Sequence, residues 1–305
     1  MTSRAFLLGL LLAVLPLSSF GDLEKPQAIS LLGEKLHAPL QVRDTLLKNL
    51  TDAKARYSAT PNDADAIIWY GRRMAYTGDY RAAIAIYSDG IQKHPGDARM
   101  YRHRGHRYIS LRMFDEAISD FRKAVDLIDG TQNAIEPDGA PNARNIPVST
   151  THGNIWYHLG LAYYLQHDFE NALWAYKEAL NTGKHPDNIV STTHWIYMIQ
   201  RRLGRATEAA QALDVVRANF DIIENIAYFK LCLLYKGEVS FDSLQTELSN
   251  SSQDAATMYG LANWLFYNGE QARALTMMRQ YIGTSDAWPA FGFIAAEADL
   301  AQAAR

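Results

Sequence analysis

GNIWYHLGLAYYLQHDFENALWAYKEALNTGK, residues 153–184, is the stretch whose reading decides the fold. Trp156, Gly160 and Tyr163 recur at steps of four and three, and so do Ala172, Tyr176 and Ala179. That spacing describes two short amphipathic helices. Between them HDF, residues 167–169, supplies the turn, and Asp168 stands where a carboxylate caps the second helix. Gly160 and Ala172 are small where the two backbones must approach, and the aromatic residues fill the space beside them.

Two upstream segments repeat this arrangement. ADAIIWYGRRMAYTGDYRAAIAIYSDGIQKHP starts at Ala64, and ARMYRHRGHRYISLRMFDEAISDFRKAVDLID starts at Ala98. Gly71 and Gly105 are 34 residues apart, while Gly105 and Gly160 are 55 apart, one period with 21 residues inserted. The three segments resemble the tetratricopeptide repeat, a helix–turn–helix unit of about 34 residues. Its large, small and aromatic positions fall on Ile67, Gly71 and Met74, on Tyr101, Gly105 and Tyr108, and on Trp156, Gly160 and Tyr163. The second helices supply Ala83, Tyr87 and Gly90, then Ala117, Phe121 and Ala124, then Ala172, Tyr176 and Ala179. The closing proline is present as Pro95, replaced by Asp129, and displaced to Pro186. Uncharacterised secreted bacterial members of the family show a similar pattern.

The resemblance implies an all-α fold, a right-handed α-solenoid of antiparallel hairpins with about 14 helices. It runs over roughly residues 40–300. A fourth repeat fits from Val190, with Tyr197 in a small slot, and another from Ala255. The expected organisation is a leader over 1–21, an N-terminal segment with a capping helix over 22–62, and repeats one and two over 63–129. An inserted loop follows over 130–152, then repeats three and four over 153–219, and degenerate repeats with a C-terminal cap helix over 220–305.

The leader reading rests on Arg4, an apolar run of 13 residues from Ala5 to Leu17, and the small residues Ser19 and Gly21 ahead of Asp22. This is the pattern of a cleaved signal peptide, which points to a periplasmic or secreted protein without a stable membrane span after cleavage. The alternative is an uncleaved anchor in the inner membrane, which the short run and Pro16 oppose. Composition agrees with a folded chain: 48% of residues are hydrophobic and 21% charged, which argues against wholesale disorder. Losing residues 1–21 removes only Arg4, so 29 basic and 33 acidic residues remain. A chain of that balance is not expected to bind nucleic acid generally. Its one cysteine, Cys232, sits in the apolar run KLCLLY, as a small buried hydrophobe does.

Within the second repeat lies YRHRGHRY, residues 101–108, and no acid occurs from Ala98 to Phe114. In the family, the first helix of each hairpin lines a concave groove. By that resemblance Arg72 and Tyr76 face the groove from repeat one, Arg99, Arg102 and His106 from repeat two, Tyr157 and Tyr164 from repeat three, and His194 and Arg201 from repeat four. Guanidinium and aromatic groups side by side suit an acidic or carboxylate-bearing peptide. Two other readings stay open: Glu136 and Asp138 of the inserted loop fold back and neutralise these arginines, or the charges form a solvated face. The lysine-and-asparagine carboxylate clamp of chaperone-type members is not carried over, because Ile68 and Arg72 stand at those slots.

The expectation is therefore a noncatalytic exported scaffold that holds a protein or peptide partner in its groove and needs no cofactor. No HExxH, GxSxG, P-loop or GxGxxG motif occurs. His103 and His106 are three residues apart without a supporting cluster of Cys, Asp or Glu, which makes a metal site a poor reading. The alternative is an enzyme of unknown reaction whose pocket gathers His103, His106, His158, His194 and Glu224 under the 130–152 loop.

Overall fold

The computed structural model describes residues 25–250 and 254–305, so the leader expected over 1–21 lies outside the described residues. A two-residue-per-strand hairpin comes first, β1 (Ala28–Ile29) with β2 (Lys35–Leu36), antiparallel with Ala28 opposite Leu36. Among the described residues 14 α-helices follow. They are α1 (Asp44–Ala59), α2 (Ala64–Tyr76), α3 (Tyr80–Lys93), α4 (Ala98–Ser110), α5 (Phe114–Ile128), α6 (Thr151–Leu165) and α7 (Phe169–Thr182). The second half holds α8 (Pro186–Arg202), α9 (Ala206–Ala212), α10 (Ile226–Tyr235), α11 (Phe241–Asn250), α12 (Ala255–Tyr267), α13 (Gln271–Thr284) and α14 (Phe291–Ala303). None of the described helices is long and apolar enough to cross a membrane.

Several helix starts have a local cause. Asp63, Asp79, Asp97, Asp168 and Asp254 each stand before a helix and accept a hydrogen bond from an amide in its first turn. Successive helices then pack side by side. In the third pair the tyrosine of α7 lies on the glycine of α6: a Cβ at Gly160 would sit 2.7 Å from the Tyr176 ring. Ala66, Ile67, Ala83, Ala117, Phe121, Ala124, Ile155, Leu159, Ala172 and Tyr176 have no measurable exposure, so buried core residues recur along the stack.

The regular pattern wears out after α8. Helix α9 has seven residues and ends in a 3₁₀ turn, Leu213–Val215, where β-branched Val215 and Val216 disfavour further helix. At the front, α1 buries none of its residues, which suits a cap with one face in water. Helix α14 does the opposite. All residues from Gly292 to Leu300 are buried, so no side of that stretch faces solvent. It packs on α12, α13 and α6, inside the curve of the stack. The segment leading into it reaches the other end of the chain: Trp288 Nε1 donates to the His37 carbonyl at 2.9 Å, and its ring meets Tyr80 edge-on at 5.4 Å. Leu31 N–H donates to Glu297. The two ends of the solenoid are thereby joined through its interior.

Candidate functional site

The inner wall is built from α2, α4, α6 and α8, and the chain's own 129–150 segment covers part of it. This segment is a compact loop closed at its base by Glu136 N–H to the Ser149 carbonyl at 3.0 Å and an isolated bridge between Ile135 and Thr150. From there it crosses onto α2. Arg72 Nη1 donates to the Pro137 carbonyl at 2.8 Å and Arg73 Nη1 to the Gly139 carbonyl at 2.6 Å. The Arg72 guanidinium lies over the Trp69 ring at 4.5 Å. Glu136 pairs with Arg102 at 2.9 Å, both side chains only 9% exposed. On the opposite side Asn142 Nδ2 donates to Glu224 at 2.6 Å and Arg144 pairs with Asp221 at 2.6 Å.

This strap leaves cationic and acidic capacity unmatched. Arg102 Nε and Asp138 Oδ2 are buried without a hydrogen-bond partner. Burial and the Glu224 charge push the Asp138 carboxyl above the usual aspartate range, against the pull of Arg72. Arg107, part-buried, lies over the Tyr80 ring at 5.1 Å, and no hydrogen bond or ion pair to its guanidinium occurs among the described residues. Burial lowers its pKa, and nearby tyrosines counter this in part.

The nine residues expected on the wall fall into separate environments. Arg72, Tyr76 and Arg102 share the strap contact. His106 stacks obliquely on His158 at 4.5 Å, and Phe291 of α14 touches both rings. Tyr157 accepts a hydrogen bond from Trp195 Nε1 at 2.7 Å. Tyr164 is 2% exposed and belongs to a buried network described below. His194 is 1% exposed, with its Nδ1 3.1 Å from the Tyr235 hydroxyl. Arg201 lies over Tyr267 at 4.4 Å and donates to Asn268 at 2.8 Å. Arg99 points away from the enclosed interior, paired with Asp97 and Asp65 at 2.6 and 2.7 Å. There it borders an open cleft of about 560 Å³ with His94 and His152.

Of the histidines proposed to converge, His103, His106 and His158 do lie together. All three are held well below the usual histidine range, by burial first and by Arg102 and Arg107 next. His194 is elsewhere, pushed down to about 3 by burial. Glu224 and His158 border one cavity of about 260 Å³ beneath the strap, together with Asn154, Tyr157, Thr192 and Phe291. Among the described residues no group of three His, Cys, Asp or Glu could hold a metal ion.

Sequence reasoning missed the contribution of α14. Asp299 accepts from His167 at 2.9 Å, Arg202 at 2.5 Å and Tyr259 at 2.9 Å. Burial alone would raise its pKa, but Arg202 and His167 outweigh that and hold it below the usual range. Tyr164 and Tyr259 meet at 2.6 Å, and Asn263 bridges Tyr164 and Arg202. Glu297 pairs with Arg112 at 2.5 Å, with side-chain exposures of 0% and 3%. Two acids inside the alanine-rich run FIAAEADLA were the available signal, since buried carboxylates need partners.

Residues 71–131 match the family model described as tetratricopeptide repeat, and helical hairpins stand before and after them. No curated protein sequence matches it. Solved structures it is similar to include YrrB, a TPR protein with an unusual peptide-binding site, at 16% identity over 76% of this chain and 91% of that one, TM-score 0.43. MamA 41-end from Desulfovibrio magneticus RS-1 is 17% identical over 56% and 82%, TM-score 0.42. The Cut9–Hcn1 hetero-tetramer of the APC/C is 15% identical over 79% and 37%, TM-score 0.46. No score reaches 0.5, and none of them bears on function.

Proposed function

We propose that this protein is a noncatalytic exported scaffold that binds a protein or peptide partner on the inner wall of its solenoid. One observation carries the reading. The 129–150 strap is held by Arg72, Arg73 and Arg102 through two backbone carbonyls and one carboxylate, the groups an extended acidic peptide offers. The strap thus occupies the wall as a resident peptide, and a partner segment exchanges with it. Arg107 and Arg102 Nε offer such a partner capacity the strap does not fill. Export is supported by Arg4, the apolar run from Ala5 and the small residues before Asp22. N-terminal sequencing of the protein from its own cells is expected to begin at Asp22.

The binding test uses a variant in which residues 136–147, Glu136 included, are replaced by a short Gly-Ser linker. A synthetic peptide spanning residues 133–147 is titrated into it. The expected result is saturable binding, lost when the peptide carries Glu136→Lys, and much weaker binding to the full chain. An envelope protein captured by the variant should be released by excess peptide. Failure of the peptide to bind a folded variant would overturn the reading.

A further inference from the structure

The cavity beneath the strap has a chemistry distinct from that of the arginine wall, and nothing in the proposal above uses it. No lysine or arginine borders its roughly 260 Å³. The side-chain amides around it are engaged within the protein. Asn154 Nδ2 donates to Ser149 Oγ at 3.0 Å, Asn188 Nδ2 to the Val148 carbonyl at 2.7 Å, and Asn225 Nδ2 to the Asp187 carbonyl at 3.1 Å.

Acceptors are left over. His158 is 5% exposed, and its Nδ1 lies 2.6 Å from the Asn154 carbonyl, which makes Nδ1 the protonated nitrogen. Nε2 is then a bare acceptor with no hydrogen bond among the described residues. Thr192 is 2% exposed and its hydroxyl is likewise without one. At the mouth, Glu224 uses one oxygen for Asn142, and its other oxygen accepts nothing. Tyr157, Tyr228 and Phe291 add aromatic surface around the same volume. One carboxylate, surplus acceptors, aromatic faces and no cation in the lining select a compact donor-rich cation; Arg102 and Arg107, which help keep His158 neutral, lie outside that lining.

We infer that this cavity is a binding site for a primary ammonium group, with Glu224 as its counter-charge, His158 Nε2 and Thr192 as its acceptors, and Tyr157, Tyr228 and Phe291 as its aromatic wall. The group arrives either on a partner's lysine side chain or on a free amine such as an amino sugar. The site does not depend on strap exchange, because the strap forms part of its wall through Val148, Ser149 and Thr150.

The test is calorimetric titration of the intact chain with Nα-acetyl-lysine amide and with glucosamine, each beside its N-acetylated counterpart. Binding of either amine with Kd near or below about 1 mM, at least tenfold tighter than its acetylated form, is expected. Glu224→Gln, an exposed position, should weaken that binding about tenfold at unchanged melting temperature, and Thr192→Val should weaken it while preserving shape. Binding by the lysine derivative alone assigns the site to a protein partner, and by glucosamine alone to an amino sugar. Equal affinity for free and acetylated forms, no binding by either amine, or indifference to Glu224→Gln in a folded protein would each overturn the inference.

Discussion

At the residue scale, closeness of approach decides what the chain tolerates. A Cβ on Gly292 would lie 2.0 Å from the Ala255 carbonyl oxygen and 2.6 Å from its carbon, and backbone atoms cannot rotate aside. Gly292→Ala should therefore cost about 3 kcal/mol or more, the upper end of overpacking penalties. Gly96→Ala meets nothing within 4 Å and should be neutral or stabilising in the same urea titration. The histidines set the acid side of stability. His194 is held at about 3, so the folded chain refuses a proton that the unfolded chain binds below its usual value of 6.5. Its contribution is complete above that value and falls steadily as pH drops from there toward 3. Between pH 7.5 and 5.0 it removes about 2 kcal/mol by itself. His103, His106 and His158 are shifted the same way and add to the loss. Urea unfolding at the two pH values should show a steep decline, shallower in His194→Gln. Equal stability at both would contradict the burial of these rings.

At the scale of elements, α2 and α4 begin at Ala64 and Ala98, where the repeated segments themselves begin, because their aspartate caps and glycine–aromatic pairs are local signals. Helix α6 begins at Thr151, two residues ahead of the repeat pattern, because Thr150 caps it through the Gly153 amide. The inserted loop was legible from its prolines, glycines and asparagines. That Glu136 folds back onto the arginines was one of the readings left open; the rest of the loop's path was not legible, since it is fixed by contacts such as Arg72 with Pro137 and Asn142 with Glu224, 65 and 82 residues apart in sequence. The surroundings of the arginines expected on the concave wall depend likewise on what lies over them, which no helix period encodes. The Arg102–Glu136 pair is the anchor of that cover. Glu136→Gln leaves the Arg102 charge buried beside His103 and should destabilise the chain by about 3–5 kcal/mol. The strap should then open before the helices do, so trypsin should cut after Arg144 faster than in the parent. Replacing both partners by methionine should restore most of the stability, because it removes the stranded charge. A Glu136→Gln protein as resistant to trypsin as the parent would mean that the backbone carbonyls alone hold the strap.

At the scale of the molecule, a C-terminal cap helix was expected at the far end of the stack, and α14 turns inward and meets residues from both ends. An open repeat array loses a terminal helix at the expense of one neighbour interface. Here the terminal helix carries the carboxylates for two buried arginines, Arg112 through Glu297 and Arg202 through Asp299. It also meets the N-terminal hairpin through Leu31. Ending the chain at Thr284 would strand both guanidiniums, at about 3–5 kcal/mol each if they stay buried. Whole-domain stability is about 5–15 kcal/mol, so the truncated chain should not hold its fold. Circular dichroism should show helix loss far beyond the 13 residues of α14 and a broad, uncooperative melt. Adding Arg112→Met and Arg202→Met to the truncated chain should recover part of the helix content, which a simple end cap would not do. A truncated chain that melts as sharply as the parent, with helix content reduced only by α14, would make the closure a passive packing of one more helix on an open solenoid.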